Sequence, residues 1–172
     1  MTKTAGPDEL RQIQELIKGI KVAMLTSFDG RILRSRPMVA AQSAFTGELF
    51  FFARSSSPKM AELDHNDQVN VSYADPGHQN YVSLSGAASI TRDRSLIEAH
   101  WSEAMRTWFP KGNADPDIAV IKVSVSQAEY WDAPSSTMVY LYGYAKAVAT
   151  GHAPHPGENE KLSIDPLAHG EG

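Results

Sequence analysis

Val69-Asn70-Val71-Ser72-Tyr73-Ala74, the breaker Asp75-Pro76-Gly77, and then Val82-Ser83-Leu84-Ser85-Gly86-Ala87-Ala88-Ser89-Ile90 carry a sequence period of two. Apolar residues alternate with Asn, Ser and Ala, the pattern of strands that are dry on one face and wet on the other. Gly86 lies inside the second run and marks a bulge or kink there. Two such strands, one of them long, imply a β-sheet large enough to curl.

Towards the N-terminus the same period returns. Val22, Met24 and Thr26 alternate with Ala23, Leu25 and Ser27 up to the hairpin signal Phe28-Asp29-Gly30, and a returning strand follows over about Arg31 to Ala41. Phe45-Thr46-Gly47-Glu48 is the next turn, and Leu49-Phe50-Phe51-Phe52-Ala53 is a short, dense strand. These three strands read as an antiparallel meander. Ahead of them, Pro7, Asp8 and Glu9 suit a first helical turn, and Leu10, Ile13, Leu16, Ile17 and Ile20 recur at helical spacing. A short helix over Ser57 to about Asn66 starts with Ser57 as cap and Pro58 in first position.

Towards the C-terminus, Asp93 caps a helix whose Leu96, Ile97, His100, Trp101, Ala104, Met105 and Trp108 share one face, ended by Phe109-Pro110-Lys111-Gly112. Ile118 to Trp131 reads as a strand, and Val139 to Val148 as a last one carrying Tyr140, Tyr142 and Tyr144. Gly151 to Gly172 is rich in Gly and Pro and reads as an irregular tail. The sum is an α+β protein, a six- to seven-stranded antiparallel barrel with short flanking helices, one domain over residues 1–150 and a tail over 151–172.

Composition narrows the function. The 172 residues include no cysteine, which excludes disulfides, iron–sulfur clusters, thiolate zinc and any cysteine nucleophile. Redox chemistry would need a borrowed cofactor. The net charge of −4 gives no global reason to bind nucleic acid or an anionic membrane. No run approaches the roughly 20 apolar residues of a membrane helix, and Met1 to Pro7 has no apolar signal core, so the expected location is cytoplasmic. The histidines show no ligand spacing, so no metal site is expected, and His100 reads as a packed core residue. Neither G-x-S-x-G, G-x-G-x-x-G nor a P-loop is present.

Two local features hold chemistry. A helix start at Ser57-Pro58-Lys59 offers backbone N–H groups, the positive end of the helix dipole and an ammonium, which together can seat a phosphate; an ordinary cap with a solvated lysine has the same sequence. Ser55, Ser56 and Ser57 add hydroxyls, and Arg36 on the neighbouring hairpin adds a guanidinium. In Arg34-Ser35-Arg36-Pro37-Met38 the proline removes a ladder donor, consistent either with an opening that something approaches or with an edge strand guarded by charge.

In order and spacing, Arg36-Pro37-Met38, Phe51-Phe52-Ala53, Ser57-Pro58-Lys59, Val69 to Pro76 and Glu129-Tyr130-Trp131-Asp132 resemble the bacterial general stress proteins of the pyridoxamine phosphate oxidase-like clan. The resemblance covers about residues 8 to 150. It implies a flavin-binding split β-barrel, a homodimer with FMN at the subunit interface, FAD being the alternative cofactor. It implies phosphate binding by Arg36, Ser57 and Lys59, backbone contacts to the flavin from around Met38, Val39, Phe52 and Ala53, and Pro37 and Pro58 beside them among the cofactor-binding residues. Tyr81 and Trp131 match positions near the cofactor contributed by the partner subunit. The oxidase branch follows its tryptophan with an Arg-x-His substrate clamp, whereas Trp131 precedes Asp132-Ala133-Pro134-Ser135-Ser136. The implied function is a flavin-dependent oxidoreductase that uses a small-molecule electron donor or acceptor, with true pyridoxamine phosphate oxidase activity disfavoured. A non-catalytic flavin storage or sensing protein is the alternative.

Overall fold

The computed structural model describes residues 3–41, 44–132, 148 and 158–165. In chain order the elements are β1 (Lys3–Thr4), α1 (Pro7–Ile17), β2 (Val22–Phe28), β3 (Leu33–Val39), β4 (Glu48–Arg54), α2 (Pro58–His65), β5 (Gln68–Asp75), β6 (Asn80–Thr91), α3 (Arg94–His100), a 3-10 turn (Glu103–Thr107), β7 (Ile118–Asp132) and β8 (Glu158–Ser163). The strands run in the order β1-β8-β7-β6-β5-β2-β3, with β4 paired to β7.

This is the expected α+β split barrel. Strands β2 to β7 form its wall, every extended pairing among them is antiparallel, and an Ala40–Phe51 bridge joins the end of β3 to β4. The split lies in β7. Its first half, Ile118 to Ser124, pairs with β4, while its second half, Gln127 to Asp132, pairs with β8. Leu25, Leu49, Phe51, Val71, Leu84 and Ile121 fill the barrel without measurable exposure. The apolar stripe of α1, led by Ile13, packs into the same core, each fully buried aliphatic side chain contributing about 1.5–3 kcal/mol.

Three features differ from the sequence reading. The first three barrel strands are not a meander, because β4 leaves β3 after one bridge and pairs along its full length with β7. Burial explains the choice. From Leu49 to Ala53 every residue of β4 is buried, Leu49, Phe51 and Ala53 into the barrel and Phe50 and Phe52 under α3 and the 3-10 turn. The start of β7 is buried on both faces in the same way, whereas β3 is mostly exposed and cannot cover a two-sided strand. Secondly, the chain from Asp93 to Trp108 is not one helix. It breaks at Trp101-Ser102, where Trp101 is extended and sets its ring edge-on to Phe52, 5.9 Å away, while His100 stacks on Phe50 at 4.3 Å.

The third difference is in the segment 151–172, which is not irregular throughout. Glu158–Ser163 forms β8, antiparallel to β7 and parallel to β1, and the barrel strands thereby gain two companions. Leu162 and Ile164 are buried in the main core. Two apolar residues in a Gly- and Pro-rich context carry little periodicity, and the open edge of β7 supplies what local sequence does not. The Val139–Val148 strand expected from the sequence lies outside the described residues, Val148 excepted.

At Gly86 the expected bulge is present, with the β6/β7 register shifting between Ser85 and Gly86. A Cβ there would sit 2.1 Å from the backbone oxygen of Ser124, so the close strand approach requires glycine.

Candidate functional site

Strand β3 is the end of the sheet path, which resolves the proline: Pro37 stands on an edge. Inward-facing Arg36 and Met38 pair with buried Leu25 and Ala23, while Pro37 and Val39 face outward opposite Met24 and Val22. Beside this edge lies a cavity of about 630 Å³. Pro37, Met38 and Val39 of β3 and Phe52 and Ala53 of β4 line one side, and Met105, Thr107, Trp108 and Phe109 the other. The last four owe their position to the break in the Asp93–Trp108 segment. Phe109 meets Phe52 edge-on at 6.4 Å, and the Arg54 guanidinium lies over the Phe109 ring at 5.4 Å while donating to the Trp108 carbonyl at 2.6 Å.

A second cavity of about 380 Å³ adjoins the first, and Ser57 and Lys59 line both. Arg36 and Pro58 line the second. Nine of the residues expected from the sequence, Arg36, Pro37, Met38, Val39, Phe52, Ala53, Ser57, Pro58 and Lys59, therefore meet around one pair of cavities. Tyr81 and Trp131 do not. They are cross-strand partners on β6 and β7, both about 40% exposed.

The charges at the junction are unevenly matched. Arg36 donates to Glu62 Oε2 at 2.6 Å and to Ser27 Oγ at 3.0 Å, and Ser27 donates to the same Glu62 oxygen at 2.9 Å. Burial works to raise the Glu62 carboxyl, but the hydrogen bonds from Arg36 and Ser27 outweigh it and leave Glu62 below its usual value. Lys59 is half-buried and has no such partner. Among the described residues, its ammonium reaches only the Met38 sulfur, at 3.8 Å. Burial, then the charge of Arg36, pull its pKa below the ordinary lysine value, with Glu62 opposing. A half-buried cation without a carboxylate is costly in isolation and suited to an incoming anion.

Ser57 is the N-cap of α2 by backbone conformation, but its hydroxyl makes no capping bond. Ser55 and Ser56, expected to supply ligand donors, are engaged by Asp117 instead. Ser55 Oγ donates to Asp117 Oδ1 at 2.7 Å and Ser56 Oγ to Oδ2 at 3.2 Å, and Arg54 joins Oδ2 at 3.2 Å. The hydrogen bond from Ser55, with those from Arg54 and Ser56, holds the Asp117 carboxyl at about 2 against the opposing effect of burial. Asp117 thus pins the segment leading into α2 to the start of β7. Sequence reasoning missed Asp117, Glu62 and the Met105–Phe109 wall, because each acquires its role through a contact far away in the chain.

These positions and this fold can be set beside known proteins. A model of the family described as pyridoxamine 5'-phosphate oxidase like matches residues 8–155. The chain belongs to that family. Protein bli-3 of Neurospora crassa is 27% identical over 161 residues, spanning 87% of this chain and 77% of that protein. The crystal structure of a Jannaschia sp. CCS1 protein assigned as a general stress protein 26 has a TM-score of 0.71 at 23% identity, covering 92% of this chain and 99% of that one. The general stress FMN/FAD binding protein of Xanthomonas citri has a TM-score of 0.67 at 24% identity, covering 75% and 92% respectively. Both share the fold of this member of the pyridoxamine 5'-phosphate oxidase-like family.

Proposed function

We propose that the protein binds FMN, with the phosphate at Ser57, Lys59 and Arg36 and the ring system in the cavity between the β3–β4 backbone and the Met105–Phe109 wall. The unpaired, half-buried ammonium of Lys59 at the junction of the two cavities carries this reading. Among the described residues no carboxylate oxygen reaches it, Glu62 acting only at a distance, and a phosphate dianion supplies a direct anionic partner. The family relationship and the FMN/FAD-binding Xanthomonas citri relative support the choice of ligand. Bound flavin supplies hydride and electron chemistry; the chain's own residues anchor the phosphate, flank the ring and keep water from one side of it.

The working form is a cytoplasmic homodimer. Val22, Met24, Tyr81 and Trp131 share the outer face of the sheet, as the continuous register Met24–Ser72–Ser83 and the Tyr81–Trp131 pairing require, and all four are exposed. A second copy placed on this band covers apolar surface and carries its Tyr81 and Trp131 towards the partner's cavity. The activity is that of a flavin-dependent oxidoreductase acting with a small-molecule donor or acceptor. Pyridoxamine phosphate is disfavoured as substrate, since no Arg-x-His pair follows Trp131. A non-catalytic role in flavin storage or sensing has one observation in its favour: among the described residues lining the two cavities, the sole carboxylate, Glu62, is held by Arg36 and Ser27.

Titration of the apoprotein with FMN and riboflavin tests the site. Lys59→Ala is expected to weaken FMN by about ten- to a hundredfold, the equivalent of one charge-assisted hydrogen bond, and to leave riboflavin within about twofold. Equal loss of both ligands would remove the phosphate assignment. Stopped-flow reduction of the bound flavin by reduced nicotinamide, followed by steady-state turnover with added acceptors, separates the catalytic from the storage reading.

A further inference from the structure

The second cavity is larger than one phosphate requires, and part of its charge is not used by the reading above. It is a groove of about 380 Å³ open to solvent, with room beyond the one phosphate placed at Ser57 and Lys59. Beyond the residues already assigned to phosphate, its lining is Arg34, Ser35 and Glu62, with no aromatic or aliphatic side chain among them. Such walls suit phosphate oxygens and not a ring.

Arg34 is built to receive them. It stands two residues from Arg36, on the same face of β3. Its Nε donates to Asp29 Oδ2 at 2.7 Å, and Asp29 Oδ1 is itself fixed by the backbone N–H groups of Arg31 and Ile32, each at 2.9 Å. The guanidinium is therefore anchored through one nitrogen. Its two terminal nitrogens have no partner among the described residues, which leaves the forked edge free for two oxygens. Lys59 and Arg36 answer the first phosphate, Glu62 and Asp29 each offset one positive charge, and the open forked edge of Arg34 is what remains for a second.

We propose that this cavity takes the second phosphate of a flavin dinucleotide and that Arg34 holds it, so that Arg34 governs the affinity for FAD and not that for FMN. The proposal rests on the flavin reading above. A diphosphate that begins at Ser57 and Lys59 leads into this space, because those two residues line both cavities. The adenosine end then points to solvent past the exposed Arg34.

Dissociation constants for riboflavin, FMN and FAD on the full chain, for wild type, Arg34→Ala and Arg34→Lys, test it. Arg34→Ala is expected to weaken FAD at least tenfold while FMN and riboflavin change by less than twofold, and Arg34→Lys to recover part of the loss. Matching melting temperatures establish that the exposed substitution leaves the fold intact. An unchanged FAD constant, or equal weakening of FMN and FAD, overturns the proposal. A wild type that binds FMN but not FAD overturns it and leaves the flavin reading standing; a wild type that binds no flavin overturns both.

Discussion

Asp117 shows how much one side chain can organise. Its carboxylate takes hydrogen bonds from Arg54, Ser55 and Ser56, and its backbone oxygen accepts the N–H of Ser55 at 2.8 Å. Its folded pKa of about 2 lies below the ordinary aspartate value of 3.8, so the stabilisation it provides is complete above about pH 4 and fades as pH falls towards 2. Asp117→Asn is expected to lower the melting temperature at neutral pH and to flatten its decline between pH 4 and pH 2, read by calorimetry across that range. Tyr73 is the opposite case. It is 2% exposed, and among the described residues its hydroxyl has no hydrogen-bond partner. Burial alone pushes its pKa up. Because an unsatisfied buried hydroxyl costs stability, Tyr73→Phe is expected to raise the unfolding free energy by about 1 kcal/mol in urea titrations.

At the scale of elements, the close packing of β6 on β7 is the least forgiving contact. Ala at position 86 would drive its Cβ into the Ser124 carbonyl and to 2.9 Å from the Val125 Cα, both backbone and unable to swing away. Gly86→Ala is expected to cost about 3 kcal/mol or more, measured by urea denaturation. This bulge was legible in the sequence, as were α1, α2, β5, β6 and β7, because each carries its own period or cap. The partner of β4 was not. Phe50-Phe51-Phe52 announces a strand buried on both faces, but which strand covers it depends on β7, which begins more than 60 residues later. For β8 the signal is weaker still, since Leu162 and Ile164 acquire meaning only when the free edge of β7 is in place.

For the molecule as a whole, closure rests on little. Between β3 and β4 there is the Ala40–Phe51 bridge and the bond from Ala41 N–H to the Phe50 carbonyl at 2.8 Å, whereas the other barrel strands share full ladders. The Ala41 amide is expected to exchange with deuterium far faster than those of Leu84 and Val123 in the closed ladders, and to slow when flavin occupies the adjoining cavity; hydrogen exchange with mass spectrometry checks both. The candidate site was legible to the extent that it is local. Ser57-Pro58-Lys59 and Arg36-Pro37-Met38 are short motifs with their own physical logic. Glu62 and Asp117, which hold Arg36 and the Ser55–Ser56 segment, are ordinary acidic residues in the sequence, and folding alone brings them to their partners.

The break at Trp101-Ser102 separates what anchors from what surrounds. Arg36, Ser57 and Lys59 sit on the barrel and α2, whereas Met105, Thr107, Trp108 and Phe109 all come from the single excursion between β6 and β7. That excursion is an exchangeable cassette, bounded by Thr91 before it and by Asp115 after it, where the Asp117 tether begins. Segments of other lengths and side chains grafted between those limits would retailor what fits beside the proposed flavin ring and leave the proposed anion grip untouched, so one scaffold can serve many small molecules by rewriting about two dozen residues.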